Sequence, residues 1–207
     1  MKGNYLALDT AGAYLSVAAR NGDRTVRFLR ENAAAQHSVL LMDAAEGVLA
    51  GADLSVRDCD FFCAVTGPGS FTGIRIGIAA AKGFCAACGK PSLGITAFSV
   101  IAHAAGQEGV AAVPAGGGYY YVCAFDQEKR LSGAARLSEK EFYLFAEGKR
   151  IYGYGGLPGA YEKIDPGFGL ARAVETAGPE DFSELAAFYM KKSQAEEERL
   201  RREAAGV

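Results

Sequence analysis

The apolar positions of the first thirty residues predict three strands. Residues 4–8 form a short, continuous apolar run that is typical of a buried strand, and residues 14–19 repeat it. Residues 25–29 alternate apolar and polar side chains, and the Asn-Gly pair at positions 21–22 before them is a typical hairpin turn. The chain therefore opens with an antiparallel sheet.

Helices and further strands alternate along the rest of the chain. Helical spacing of apolar residues predicts helices over residues 37–50, 73–88, 97–105 and 139–146, and closing helices after residue 168. Short apolar runs predict strands over residues 61–66, 92–95, 110–113, 119–125, 131–137 and 150–154. The order strand, strand, strand, helix, strand, helix thus appears approximately twice. This repetition predicts a duplicated α/β fold with mixed sheets, an N-terminal lobe at residues 1–106 and a smaller C-terminal lobe at residues 107–207.

A glycine-rich loop joins the strand at residues 61–66 to the long helix, and together they read FFCAVTGPGSFTGIRIGIAAAKG from residue 61. A helix that starts directly after such a loop can hold an anion, because its free N–H groups and its dipole favour negative charge. The loop is not a P-loop, since no Lys-Ser or Lys-Thr pair follows Gly73. A tight structural turn remains the alternative interpretation.

The long helix carries small residues every four positions, at Gly73, Gly77 and Ala81. Glycine inside a helix costs about 1 kcal/mol, so this smooth face requires a packing partner. Burial within the chain is one explanation, and docking against a partner helix is the other. Arg75 and Lys82 lie two turns apart on one side of the helix, where they contact phosphate, pair with carboxylates across an interface, or are solvated.

Charge and length narrow the class of protein. Half of the 207 residues are apolar, so the chain can bury a substantial core, and its formal net charge of -2 argues against broad binding of nucleic acid. We find no secretory signal and no uninterrupted apolar run near the roughly 20 residues that span a bilayer. A cytoplasmic protein without a membrane partner is expected.

The five cysteines predict buried hydrophobic residues rather than a metal site or disulfides. Cys59, Cys63, Cys85 and Cys88 imitate the spacing of a four-thiolate site. Four residues of extended chain separate Cys59 from Cys63 by about 13 Å, however, which is too far for one zinc ion.

The segment from Gly67 to Gly77, followed by an Ala-Lys-Gly sequence at residues 81–83, resembles the signature block of the TsaB (YeaZ) family. Further matches occur in the same order along nearly the whole chain, and they are densest in its first half. They lie at residues 6–10, 16–18, 37–41, 94–99 and 189–199.

This resemblance implies the actin, Hsp70 and hexokinase-like (ribonuclease H-like) fold and a non-catalytic role. It implies a scaffold or activator that binds TsaD, the subunit that transfers a threonylcarbamoyl group to N6 of the adenosine beside the tRNA anticodon. Self-association as a homodimer and assembly with a TsaE-like ATPase through the complex are also implied, and tRNA is reached only indirectly. No cofactor is expected for this chain, and any ATP belongs to the complex.

The resemblance also suggests site residues in two groups, with no catalytic residue and no metal ligand in either. The expected partner or dimer interface comprises His37, Leu41, Ala45, Gly73, Arg75, Gly77 and Ala81. Residual nucleotide binding is assigned to Asp9, Thr10, Gly67, Gly69, Ser70 and Gly155. Leucine at Gly77 is accordingly expected to leave the chain soluble and to abolish association.

Two departures from the family pattern affect these expectations. The chain has Ala11 where the family often has serine, and the neutral residues 114–118 replace a family segment with three charges. Contacts made there by the family are therefore in doubt.

An autonomous ATPase or sugar-kinase-like enzyme that uses Asp9 and the glycine loops is the competing hypothesis. A metalloprotease is disfavoured, because His37 and His103 fall in separate predicted helices.

Overall fold

A computed structural model of the chain describes residues 3–190. The strands are β1 (Tyr5–Asp9), β2 (Leu15–Asn21), β3 (Arg24–Arg30), β4 (Phe61–Val65), β5 (Ser92–Ile95), β6 (Gly109–Gly116), β7 (Tyr119–Phe125), β8 (Leu131–Ser138), β9 (Ile151–Gly153) and β10 (Glu162–Lys163). The helices are α1 (His37–Gly51), α2 (Phe71–Cys88), α3 (Ala97–Ala104), α4 (Glu139–Ala146) and α5 (Pro166–Thr176). Two 3₁₀ turns lie at Val56–Asp58 and Pro179–Asp181.

The two five-stranded sheets have the same topology. The first has the order β3-β2-β1-β4-β5, and the second has the order β8-β7-β6-β9-β10. In each sheet the first three strands along the chain pair antiparallel, and the two later strands add in parallel. The predicted duplicated fold with mixed sheets is confirmed.

The helices cover the sheets in layers. One face of the first sheet packs against α1 and α2. Its other face packs against α3 and α5, and α3 also contacts the second sheet. The outer face of the second sheet packs against α4. Helix α5 belongs to the C-terminal half of the chain, but it packs on β1, β2, β3 and α3 of the N-terminal half. The chain therefore returns to the first sheet after it has formed the second. The lobe boundary at residue 106 stays a prediction.

Local capping explains where the helices differ from their predicted bounds. The α2 helix begins at Phe71, two residues before the predicted start, because the Ser70 hydroxyl accepts a hydrogen bond from the Gly73 N–H at 3.2 Å. Asp165 caps α5 in the same way, through the N–H groups of Gly167 and Phe168. The two-residue strand β10 was not predicted.

Helix α2 has 18 residues and, within the described range 3–190, is the one helix whose length and composition would suffice to cross a membrane. It packs on β1, β4 and β5 of the first sheet and buries Gly73, Ile74, Gly77 and Ala81. The core helix of a water-soluble domain satisfies the same criteria. The cytoplasmic location stays a prediction. The charged segment 191–203, for which the sequence suggests a solvated helix, lies outside the described residues.

Candidate functional site

A cleft of about 740 Å³ lies between the two sheets. Its walls come from the turn after β1, the ends of β3 and β6, the start of α2, and the segment between β9 and α5. The side chains that line it include Tyr14, Phe71, Arg75, Tyr154 and Lys163. The cleft is of the size that small ligands occupy in proteins.

Asp9 ends β1 beneath this cleft and is completely buried. One carboxylate oxygen, Oδ1, accepts a hydrogen bond from the Ala11 N–H at 2.9 Å. The other oxygen, Oδ2, accepts one from the Tyr14 hydroxyl at 2.7 Å. Burial raises the pKa of Asp9 to about 6, and these two hydrogen bonds oppose the rise. Asp9 itself does not line the cleft.

Tyr14 closes the floor of the cleft over Asp9. Its ring lies against that of Tyr154 from the other half of the chain, with centroids 4.6 Å apart. Burial raises the pKa of the Tyr14 phenol well above its usual value, so the hydroxyl stays a donor to Asp9. At the rim, Lys163 and Glu31 form an ion pair of 2.7 Å between the two halves, which raises the pKa of Lys163.

We expect Tyr14→Phe to lower the unfolding free energy at pH 7 by about 2 kcal/mol. The substitution removes the O–H donor from Asp9 and leaves a buried carboxylate with one hydrogen bond. Denaturant unfolding measures the loss. Tyr143→Phe, at an exposed tyrosine of α4, is the control and should change stability little. Equal effects of the two variants would contradict the role assigned to Tyr14.

The smooth face of α2 packs on the turn after β1. A Cβ atom on Gly73 would overlap the carbonyl oxygen of Thr10, and one on Gly77 would lie 2.6 Å from its hydroxyl oxygen. The Thr10 hydroxyl donates a hydrogen bond of 2.7 Å to the Gly73 carbonyl. The Ser70 N–H likewise donates to the Ala11 carbonyl at 2.8 Å. Burial within the chain, the first of the two open explanations, accounts for these glycines.

The predicted interface therefore requires correction. Six of its seven residues are buried inside the protein and offer no free surface: His37, Leu41, Ala45, Gly73, Gly77 and Ala81. His37 turns inward, with Nε2 2.9 Å from the Tyr14 carbonyl oxygen. Arg75 is the exposed member of the set. Leucine at Gly77 should accordingly destabilise the fold instead of leaving it intact.

The residues suggested for nucleotide binding divide into two groups. Gly69, Ser70 and Gly155 line the cleft. Asp9, Thr10 and Gly67 do not line it: Asp9 and Thr10 are buried beneath it, and a Cβ built on Gly67 would lie 2.7 Å from the carbonyl oxygen of Phe188. Nucleotide binding by this chain stays a prediction.

The outer surface of α1 and α2 carries apolar residues that the sequence interpretation missed. Val39 and Met42 of α1 are 71% and 48% exposed. Ala79 and Gly83 of the neighbouring α2 are also exposed, and nothing lies within 4 Å of a Cβ built on Gly83. Val39 and Met42 lie on a different side of the helix from the buried Leu41, and this helical spacing is the sequence signal from which their exposure could have been predicted. We call these four residues the outer face.

The cysteines and His103 were the remaining residue types that could bind a metal ion. All five cysteines are free thiols, and burial raises the pKa of Cys59 to about 12. Within residues 3–190, no three His, Cys, Asp or Glu side chains form a group that could hold a metal ion. His103 of α3 contacts α5: its Nδ1 lies 2.8 Å from the Ser99 carbonyl oxygen, and its Nε2 lies 2.8 Å from the Thr176 hydroxyl of α5. Burial lowers its pKa.

Known proteins resemble this chain in sequence and in fold. Residues 28–148 match the family model described as TsaD: tRNA N6-adenosine threonylcarbamoyltransferase. The tRNA threonylcarbamoyladenosine biosynthesis protein TsaB of Buchnera aphidicola is 32% identical over 100 residues, which are 48% of this chain and 47% of that protein. TsaB of Escherichia coli is 34% identical over 100 residues, 48% of this chain and 43% of that protein. The chain spans about half the length of the curated relatives it matches.

Solved structures show the same fold. YeaZ from Pseudomonas aeruginosa superimposes with a TM-score of 0.77 at 23% identity, covering 91% of this chain and 100% of that one. With its two mixed sheets, the cleft between them and their repeated topology, the molecule has the duplicated actin-like, ribonuclease H-like fold. The TsaD family model matches more than half of the 207 residues, so the chain belongs to that family, and its curated relatives and structural neighbour make it a member of the TsaB/YeaZ type.

Proposed function

We propose that this chain is a non-catalytic subunit of the machinery that forms threonylcarbamoyladenosine in tRNA, and that it acts by docking a TsaD-like catalytic subunit. Its curated relatives are named as tRNA threonylcarbamoyladenosine biosynthesis proteins, which supports the pathway. A cytoplasmic location, a TsaE-like ATPase as a further member and indirect contact with tRNA belong to the same proposal.

The enclosed carboxylate of Asp9 is the observation that carries the non-catalytic part of the proposal. In the superfamily that the sequence resembles, active members use a carboxylate at this strand end near nucleotide phosphate and its metal ion. Here both Asp9 oxygens accept hydrogen bonds from the chain itself, and the side chain does not reach the cleft. A metal ion or phosphate group would have to displace Tyr14 from its packing on Tyr154 to reach it.

The outer face supports the docking part. Val39 and Met42 are exposed apolar side chains on α1, Ala79 and Gly83 are exposed small residues on α2, and the two helices contact each other. Small residues let helices approach closely, and apolar side chains beside them supply the area that a helix interface buries. We infer that a helical surface of the TsaD-like subunit occupies this face. Self-association through the same four residues would then exclude that subunit.

We expect Val39→Asp to weaken binding of the TsaD-like subunit at least about tenfold, because it places a charge at the centre of an apolar interface. Leu144→Asp is the matched control, since Leu144 is an equally exposed apolar residue on α4, far from α1 in the fold. Titration calorimetry with the purified subunit measures both variants. Unchanged affinity of Val39→Asp, or equal losses in both, would exclude the outer face.

A further inference from the structure

The segment at residues 182–190, which we call the strap, runs back along the first sheet after the last 3₁₀ turn. Phe182 forms an antiparallel bridge with Leu93 of β5, the edge strand of that sheet. The Ser92 hydroxyl donates to the Ser183 carbonyl at 2.8 Å, and the Phe188 N–H donates to the Thr66 carbonyl at 2.8 Å. The strap therefore covers the β5 edge and continues to the end of β4.

Side chains of the strap then follow one flank of α2. Glu184 pairs with Lys82 at 2.9 Å, and the Tyr189 hydroxyl accepts a hydrogen bond from Arg75 Nε at 2.9 Å. The Tyr189 ring also stacks on Phe71, with centroids 4.5 Å apart and an interplanar angle of 19°. Positions 71, 75 and 82 lie on one side of a helix. The strap thus flanks α2 beside the outer face without covering it.

The first turns of α2 need this support because their inner face is made of glycine. Gly73 and Gly77 allow close contact with the turn after β1, but they bury no side chain of their own. Ile74 is the one large residue that these turns bury. Tyr189 adds an aromatic contact on Phe71 and fixes Arg75, so it supplies side-chain packing that the glycines cannot.

The strap is held by few buried groups. Among residues 182–190 only Leu185 is fully buried, at 2% exposure, while Phe182, Ala187 and Met190 are half-buried against the core. The Lys82–Glu184 pair is exposed to solvent, where ion pairs contribute little. Segments with few buried contacts open locally at a lower free energy than the whole protein unfolds. We therefore expect the strap to open at a lower free energy than the two sheets unfold.

We propose that residues 182–190 form a releasable strap that braces the first turns of α2 and thereby sets the affinity of the outer face for its partner. The second half of this statement rests on the proposed function. Partner binding and strap attachment are thermodynamically coupled. A partner that binds more tightly when the strap is attached therefore also stabilises the attached strap.

Amide hydrogen exchange on the isolated chain tests the brace without any partner. In Tyr189→Ala, amides of residues 72–78 should exchange at least about tenfold faster, while those of α4 stay unchanged. Tyr189→Phe keeps the stacked ring and should retain most of the protection. Tyr143→Ala removes a comparably exposed tyrosine from α4 and serves as the control. Unchanged exchange at residues 72–78, or faster exchange throughout the chain, would overturn the brace.

Affinity for the purified TsaD-like subunit tests the coupling. Tyr189→Ala should bind at least about fivefold more weakly, and Tyr143→Ala should bind as the wild type does. Faster exchange with unchanged affinity would show that the strap does not set docking. Val39→Asp separates the two proposals, because it should weaken docking at least about tenfold and leave exchange at residues 72–78 unchanged. Full binding by Val39→Asp would reject the docking face, while the exchange result would still decide the brace.

Discussion

Replacing Gly73 by alanine is expected to lower the unfolding free energy by about 3 kcal/mol. The new Cβ would overlap the carbonyl oxygen of Thr10, which is backbone and is held in place by the hydrogen bond from the Thr10 hydroxyl back to the Gly73 carbonyl. Overpacking of this kind costs about 1–3 kcal/mol or more, and the better helix propensity of alanine returns less than about 1 kcal/mol. Equilibrium unfolding in urea measures the difference.

Gly83→Ala is the matched control in the same helix. A Cβ at Gly83 meets no atom within 4 Å, so only the propensity gain of about 0.5–1 kcal/mol remains and the variant should be more stable than the wild type. Opposite signs for the two substitutions are therefore predicted. A mild effect of Gly73→Ala, similar to that of Gly83→Ala, would contradict the close packing of α2 on the Thr10 turn.

As the pH rises from 4 to 7, the ionisation of Asp9 should lower the unfolding free energy of the wild-type protein by about 3 kcal/mol. Asp9→Asn should lack this decrease. The folded-state pKa of Asp9, about 6, lies above its ordinary value of 3.8. The protonated carboxyl is thus favoured by folding, and its stabilisation is complete below pH 3.8 and is lost as the pH rises through about 6. The difference of about two pKa units, at 1.36 kcal/mol each, gives the magnitude.

Urea unfolding of both proteins at pH values from 4 to 8 tests this prediction. Groups with lowered pKa values, such as Asp58 and Asp126, contribute slopes of the opposite sign in both proteins and cancel in the comparison. The constant cost of the asparagine amide beside Tyr14 cancels as well. Parallel pH profiles for the wild type and Asp9→Asn would show that Asp9 is not the enclosed carboxylate described above.

Most elements of this fold could be predicted because their signals are local. The apolar runs of β1 and β4 and the alternation of β3 are visible within a few residues of sequence. The parallel pairing of β10 with β9 could not be predicted, since two residues, Glu162 and Lys163, carry no periodicity. The strap likewise has no regular pattern, and its path depends on partners about 100 residues away, such as Phe71 and Arg75.

The candidate site was harder to predict than the fold. The spacing of Gly73, Gly77 and Ala81 correctly indicated close packing, but the same spacing suits an interior contact and a partner helix equally well. What decides between them is Thr10, 63 residues earlier in the chain. For Asp9 the position at a strand end was visible, whereas its hydrogen bond from Tyr14 depends on the shape of the turn between β1 and β2.

Reconstitution of threonylcarbamoyl transfer distinguishes a docking subunit from an enzyme. Transfer to tRNA would be measured with the TsaD-like subunit, a TsaE-like ATPase and ATP, adding in turn no further chain, the wild-type chain, Asp9→Asn and Val39→Asp. We expect full transfer with the wild type and with Asp9→Asn, and little transfer with Val39→Asp or without the chain. Loss of transfer in Asp9→Asn, or sustained ATP turnover by the wild-type chain alone, would contradict a docking subunit without catalytic function.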